Sequence, residues 1–175
     1  QVKDVNLAID PETGVAKLTW SPVTTGINGG YIGNITYNVV RYPDSTTVAT
    51  GLAATEFTET FSAEEPLQTY SYGVAAVNDT QTGVAGISNK SVFGAAIVPP
   101  YSEPLDNEGA LELYTIIDNN EDGSTWEFNE KEGAASYKYS RVNDGDDWLI
   151  TPAIQLKGGK LYSVSFETCG YGYTY

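Results

Sequence analysis

Histidine and methionine are absent from this 175-residue chain, and cysteine occurs once. The missing histidine removes the most common general base and the usual nitrogen ligand of transition metals. Cys169 has no partner for an internal disulfide and no histidine to activate it. In its alternating apolar setting it reads as a buried, inert thiol. Basic residues are also scarce: 9 stand against 23 acidic ones, a net charge of −14. A field of that sign repels phosphate backbones and anionic bilayers, so nucleic acid is excluded as a partner class. No apolar run reaches the ~20 residues that a bilayer-spanning helix needs, so no membrane insertion is expected. What remains is 41% hydrophobic and 18% charged, the composition of a globular protein. The start at Gln1 and the lack of methionine fit a mature or excised piece of a longer chain.

Nearly every patterned stretch has period two, the signature of half-buried strands. Val5, Leu7 and Ile9 alternate with polar residues, and Ala16, Leu18 and Trp20 repeat the pattern before Ser21-Pro22. Ile35, Tyr37 and Val39 form a third stretch, Thr46–Ala49 a fourth, and the region of Phe57 and Phe61 a fifth. Tyr70, Tyr72, Val74 and Ala76 give a sixth, and Ile87–Ile97 a seventh. Seven short strands separated by turn residues predict a β-sandwich.

Leu18-Thr19-Trp20-Ser21-Pro22, Tyr37, and Leu67-Gln68-Thr69-Tyr70-Ser71-Tyr72-Gly73-Val74-Ala75-Ala76-Val77-Asn78 resemble a fibronectin type III domain, an immunoglobulin-like β-sandwich. The resemblance covers residues 1–97. It implies that Trp20 packs between the sheets and that Tyr70 makes a corner hydrogen bond. Asn28-Gly29-Gly30-Tyr31-Ile32-Gly33 departs from the pattern as a long glycine-rich loop, read either as a flexible tip or as a contact loop.

Val98-Pro99-Pro100-Tyr101-Ser102-Glu103-Pro104 marks a boundary, because its prolines favour an extended connector. Residues 98–175 carry the more negative share, 14 acidic against 5 basic. Asp106 is placed to cap a helical turn through Leu113. Strands are expected at Tyr114–Ile117, Thr125–Phe128, Ser136–Ser140, Trp148–Thr151 and Leu161–Thr168.

Two acidic runs lie in this second part. Asp118, Asn120 and Asp122 are spaced two apart with Gly123 behind them, oxygen ligands suited to a hard cation such as calcium. The spacing matches the start of an EF-hand loop and then fails, since Asn129 stands where the closing Glu belongs. A plain Asx-rich turn is the alternative. Asp146 and Asp147 open the expected strand at Trp148. With Trp148 as core, Asp146 sits at the core-side rim; a twist at the junction makes Asp147 the ligand instead. Both are retained as candidates.

The order Pro99-Pro100-Tyr101, Thr115-Ile116-Ile117-Asp118, Asp122-Gly123, Trp126, Tyr137, Asp146-Asp147-Trp148-Leu149-Ile150-Thr151-Pro152, Gly159-Lys160-Leu161-Tyr162 and Phe166 resembles the cleaved-adhesin family. That family includes the adhesin modules of gingipains and is related to MAM-like jelly rolls. The resemblance implies a secreted or surface-attached bacterial β-sandwich, bound calcium, and adhesion to glycans or host matrix proteins without catalysis. It spans only the first half of a family domain, so residues 98–175 are expected to be a partial jelly roll within a longer parent chain.

Tyr171, Tyr173 and Tyr175 alternate with smaller residues and would share one face of a strand, either as a ligand-stacking row or as a face for another part of the fold. Paired carboxylates also serve glycosidases, yet no nucleophile–base pair assembles from these residues. The expectation is an all-β, two-domain adhesive module with no enzyme activity. The alternative is a structural spacer or an accessory domain of a secreted protease or glycoside hydrolase.

Overall fold

The computed structural model describes residues 1–170 apart from Ile27, Thr80, Tyr139 and Arg141. The described part is all-β except for one 3-10 turn. β1 (Lys3–Ile9), β2 (Val15–Ser21) and β5 (Glu56–Thr60) form one antiparallel sheet in the order β1-β2-β5. The second sheet runs β4 (Thr46–Leu52), β3 (Ile35–Tyr42), β6 (Gln68–Asn78), β7 (Gln81–Thr82). β8 (Gly86–Ile87) and β9 (Ser91–Phe93) also pair with β6. The expected seventh strand is thus broken into short pieces that follow the same neighbour.

Alternation dictates this packing. In β2, Ala16, Leu18 and Trp20 are buried while Val15 and Lys17 are exposed. Tyr37 and Val39 do the same from β3, and Tyr70, Tyr72 and Val74 from β6. These residues form one core with Leu7, Phe61 and Phe93. Trp20 lies edge-on to Tyr37 with ring centroids 5.3 Å apart, so it does pack between the sheets. Each such large side chain removed from water is worth about 1.5–3 kcal/mol. The strand order and this core are those of the two-sheet β-sandwich expected for residues 1–97. Tyr70 departs from expectation: its hydroxyl accepts a hydrogen bond from Nε2 of Gln68 at 2.7 Å rather than serving a backbone corner.

Beyond the connector, the 3-10 turn spans Glu108–Leu113. Its cap is Asn107, whose side chain accepts from the Ala110 amide at 3.1 Å; Asp106 is not the cap. Two small antiparallel ribbons follow. β10 (Thr115–Asp118) pairs with β13 (Asp147–Ile150), and β11 (Trp126–Asn129) pairs with β12 (Ala134–Tyr137).

Three expectations for this part are corrected. Trp148 is 58% exposed, so the inward face of β13 carries Asp147 and Leu149 instead. Leu161–Thr168 is not a strand: it has the right periodicity, but no neighbouring strand among the described residues completes a ladder. Leu161, Val164 and Phe166 are consequently exposed. Cys169 is exposed too, because the element that should bury it does not form.

The chain crosses back from the second part to the first. The Ile97 amide donates to the Ala153 carbonyl at 2.9 Å, and the Gln155 amide donates to the Ile97 carbonyl at 2.8 Å. Thr69 in β6 donates its hydroxyl to the Glu112 carbonyl. Between these contacts lies a cavity of about 170 Å³ lined by Pro11, Leu67, Phe93, Leu113 and Pro152, among others. No helix among the described residues is long and apolar enough to cross a membrane.

Candidate functional site

The acidic runs meet at one end of the β10–β13 ribbon. Asp118 closes β10, Asp147 opens β13, and the two are direct cross-strand partners. Like charges placed opposite each other destabilise a ribbon, so something must offset them. Part of the answer is the loop itself. Asp118 accepts from the Asp122 amide at 3.2 Å and, through its other oxygen, from the Gly123 amide at 2.8 Å. Gly123 takes φ +78° to turn its amide inward, a conformation that glycine adopts without strain. Asp122 accepts from the Ser124 amide at 2.8 Å and from Nδ2 of Asn143 at 3.1 Å. Those donors, the Ser124 amide first, hold its carboxyl below the usual carboxylate range.

Asparagines then tie the loops together. Asn120 accepts from the Asp122 amide at 3.2 Å and donates to the Asp144 carbonyl at 2.9 Å. Asn119 bonds Asp146 twice, through its amide to the carbonyl at 3.2 Å and through Nδ2 to the carboxylate at 2.6 Å. Asp146 itself is exposed.

Asp147 is different. Both of its carboxylate oxygens are buried, and among the described residues no backbone amide reaches either of them. The Tyr137 hydroxyl lies against it and is the donor that its carboxylate faces. Asp147, burial, and the further charges of Asp122 and Asp118 together push the Tyr137 hydroxyl up to about 12. Gly145 roofs this contact: a Cβ there would stand 2.9 Å from the Tyr137 hydroxyl oxygen. Thr125 and Ser136 add two buried, unpartnered hydroxyls. Among the described residues, Trp20 Nε1 is the one such atom outside this part of the chain. Native proteins pair nearly all buried polar atoms, and a bare carboxylate costs most.

The donors are hard oxygens, the chemistry that calcium selects. Asp147 and Asp118 stand opposite each other at this end, with Asp122 on the adjoining loop. Among the described residues, no group of three or more carboxylates is placed so that it could hold a metal ion. Asp146 is committed to Asn119, and Asn120 spans the two loops. The structure thus brings the two runs together while giving their members different roles. Sequence reasoning missed Asn119, Asn143 and Gly145, whose one signal was their place within or beside the acidic runs. Tyr171, Tyr173 and Tyr175 lie outside the described residues.

Two other features bear on chemistry. The 170 Å³ cavity is lined without any titratable side chain. Tyr31, on the loop between β2 and β3, is 97% exposed, which suits contact more than packing.

No family model matches this chain, and no curated protein matches it. Among solved structures, the chain is similar to an Fn3-like protein from Clostridium thermocellum, at 25% identity with a TM-score of 0.37, over 52% of this chain and 86% of that one. It is also similar to the FN1–FN3 domains of chicken CNTN1, at 16% identity and a TM-score of 0.37. That match covers 87% of this chain and 55% of the other.

Proposed function

We propose that the chain is a non-catalytic binding module of an exported bacterial surface protein. The fibronectin-like sandwich presents the second, cleaved-adhesin-like part, and recognition of a glycan or host matrix protein falls to exposed loops and faces. In this reading calcium is held by Asp147 and Asp118, with Asp122 contributing from its loop. Its role is to neutralise facing carboxylates and fix two loops, as a cross-link would. The observation that supports the metal reading is the pair Asp118 and Asp147, two carboxylates opposed across the β10–β13 ladder. For recognition, Tyr31 and the outward row Ile117, Trp148 and Ile150 offer exposed apolar surface of the kind used in binding.

A second reading is a spacer or accessory domain of a secreted protease or glycoside hydrolase. The closed, fully packed first core favours it, since a spacer needs stiffness and no site. Immobilised glycans and matrix proteins presented to the chain in calcium separate the two. Saturable binding that falls with Tyr31→Ala or Trp148→Ala supports adhesion. A blank screen leaves the spacer reading standing and removes the adhesive one.

A further inference from the structure

Residues 161–168 carry the period-two pattern of a strand, yet no ladder partner meets them among the described residues. All eight are exposed, with Leu161 at 100%, Val164 at 90% and Phe166 at 83%. The segment starts from a defined turn: the Tyr162 hydroxyl accepts from the Lys157 amide at 3.0 Å across Gly158-Gly159. The β10–β13 ribbon has the complementary need. Among the described residues β10 pairs with β13 alone, so its other edge is open. An open edge is a template for a further strand. Charge then indicates which strand fits. Glu121, Asp144 and Asp146 are exposed, and they lie at the Asp118 end of the ribbon. Residues 155–170 run against the charge of the chain, with Lys157 and Lys160 against a single acid, Glu167. Neither lysine makes an ion pair among the described residues.

We propose that the chain pairs with a second copy of itself, residues 161–168 of each copy adding antiparallel to the β10 edge of the other. The direction follows from the charges. β10 ends at Asp118, so an antiparallel neighbour begins there and brings Lys160 to the exposed acids. A parallel neighbour would bring Glu167 to that end instead. Val164 and Phe166 share one face of the added strand and extend the outward row of Ile117, Trp148 and Ile150. A second copy is the occupant because one chain carries both halves of the match, the open acidic edge and the basic apolar strand. Two identical contacts related by a two-fold axis close the pair. The proposal is independent of the calcium reading. Its consequence for adhesion is avidity, since each particle then presents two sets of exposed loops.

Sedimentation velocity of the full chain over a wide range of concentration tests this, in chelator and in a Cys169→Ser background that excludes a disulfide. A monomer–dimer equilibrium is expected, with amide hydrogen exchange of residues 161–168 slowed in the dimer alone. Val164→Asp with Phe166→Asp should raise the dimer dissociation constant by about tenfold or more. Both side chains are exposed in the single copy, so its circular dichroism and melting should not change. Lys160→Glu should weaken pairing by about tenfold, and adding Glu121→Lys to the same chain should restore it. A chain that stays monomeric at every concentration overturns the proposal. So does a dimer in which 161–168 exchanges as fast as in the monomer. Protection of the segment that persists on dilution would mean that it folds onto its own chain, and overturns the proposal as well.

Discussion

Asp118 and Asp147 face each other across the β10–β13 ladder, one served by two backbone amides and the other by none. The asymmetry gives a sign test. In chelator, Asp147→Asn removes an uncompensated buried charge and should raise the melting temperature of the second part. In calcium, the same change should lower it, because the ligand is gone. A structural aspartate would lose stability in both conditions, and that result in a thermal scan would remove Asp147 from the metal site.

Tyr72 is fully buried and its hydroxyl donates to Glu59, which also receives Arg41 at 2.9 Å. Burial first, and then Glu59, hold the Tyr72 hydroxyl well above its ordinary range. The folded state therefore keeps this proton after the unfolded state has lost it. The contribution is complete below pH ~10 and declines above it by about 1.4 kcal/mol per pH unit. Tyr72→Phe should flatten that alkaline decline while costing about 1–2 kcal/mol at neutral pH. Denaturant titrations of both proteins from neutral to alkaline pH measure the difference in slope; equal slopes would refute it.

Gly145→Ala should destabilise the second part by about 1–3 kcal/mol, since the added methyl meets the Tyr137 ring and hydroxyl at 2.9–3.2 Å. Chemical denaturation followed by Trp126 and Trp148 fluorescence reads this. The core around Trp20 should be unaffected. A variant as stable as the parent would mean that Tyr137 does not sit under Gly145.

Asn89 serves both backbone groups of Leu7, accepting from its amide at 2.8 Å and donating to its carbonyl at 2.9 Å. Asn89→Ala should cost about 2 kcal/mol by orphaning two partly buried groups of β1. For the same reason the sequon Asn89-Lys90-Ser91 is a poor glycan acceptor in the folded chain although Asn89 is exposed, whereas Asn34, also exposed, is not held in this way among the described residues. Mass spectrometry after expression in a glycosylating host should find glycan at Asn34 and none at Asn89; a modified Asn89 in folded protein would contradict this.

Much of the first sandwich was legible in the sequence because its signals are local. Alternation in Ala16-Lys17-Leu18-Thr19-Trp20 states which face is inward, and Ser21-Pro22 states where the strand stops. The second part was less legible. Trp148 reads as core from its size alone, yet it faces outward, because the inward face is fixed by what β13 pairs with. Leu161–Thr168 shows the converse: periodicity gives a strand its faces but does not supply a partner for its backbone. At the candidate site, the two runs that spacing singled out meet at one end of the β10–β13 ribbon. Spacing could not separate Asp146 from Asp147, since that depends on Asn119 reaching one and the Tyr137 hydroxyl lying against the other.

Scanning calorimetry of the whole chain, in saturating calcium and in chelator, tests the central claim most directly. The transition of the second part should move up in calcium, by about 2.7 kcal/mol at a hundredfold excess over the dissociation constant. The transition of the first sandwich should stay where it is, and Asp118→Ala with Asp122→Ala should abolish the movement. Superimposable traces with and without calcium would contradict the account.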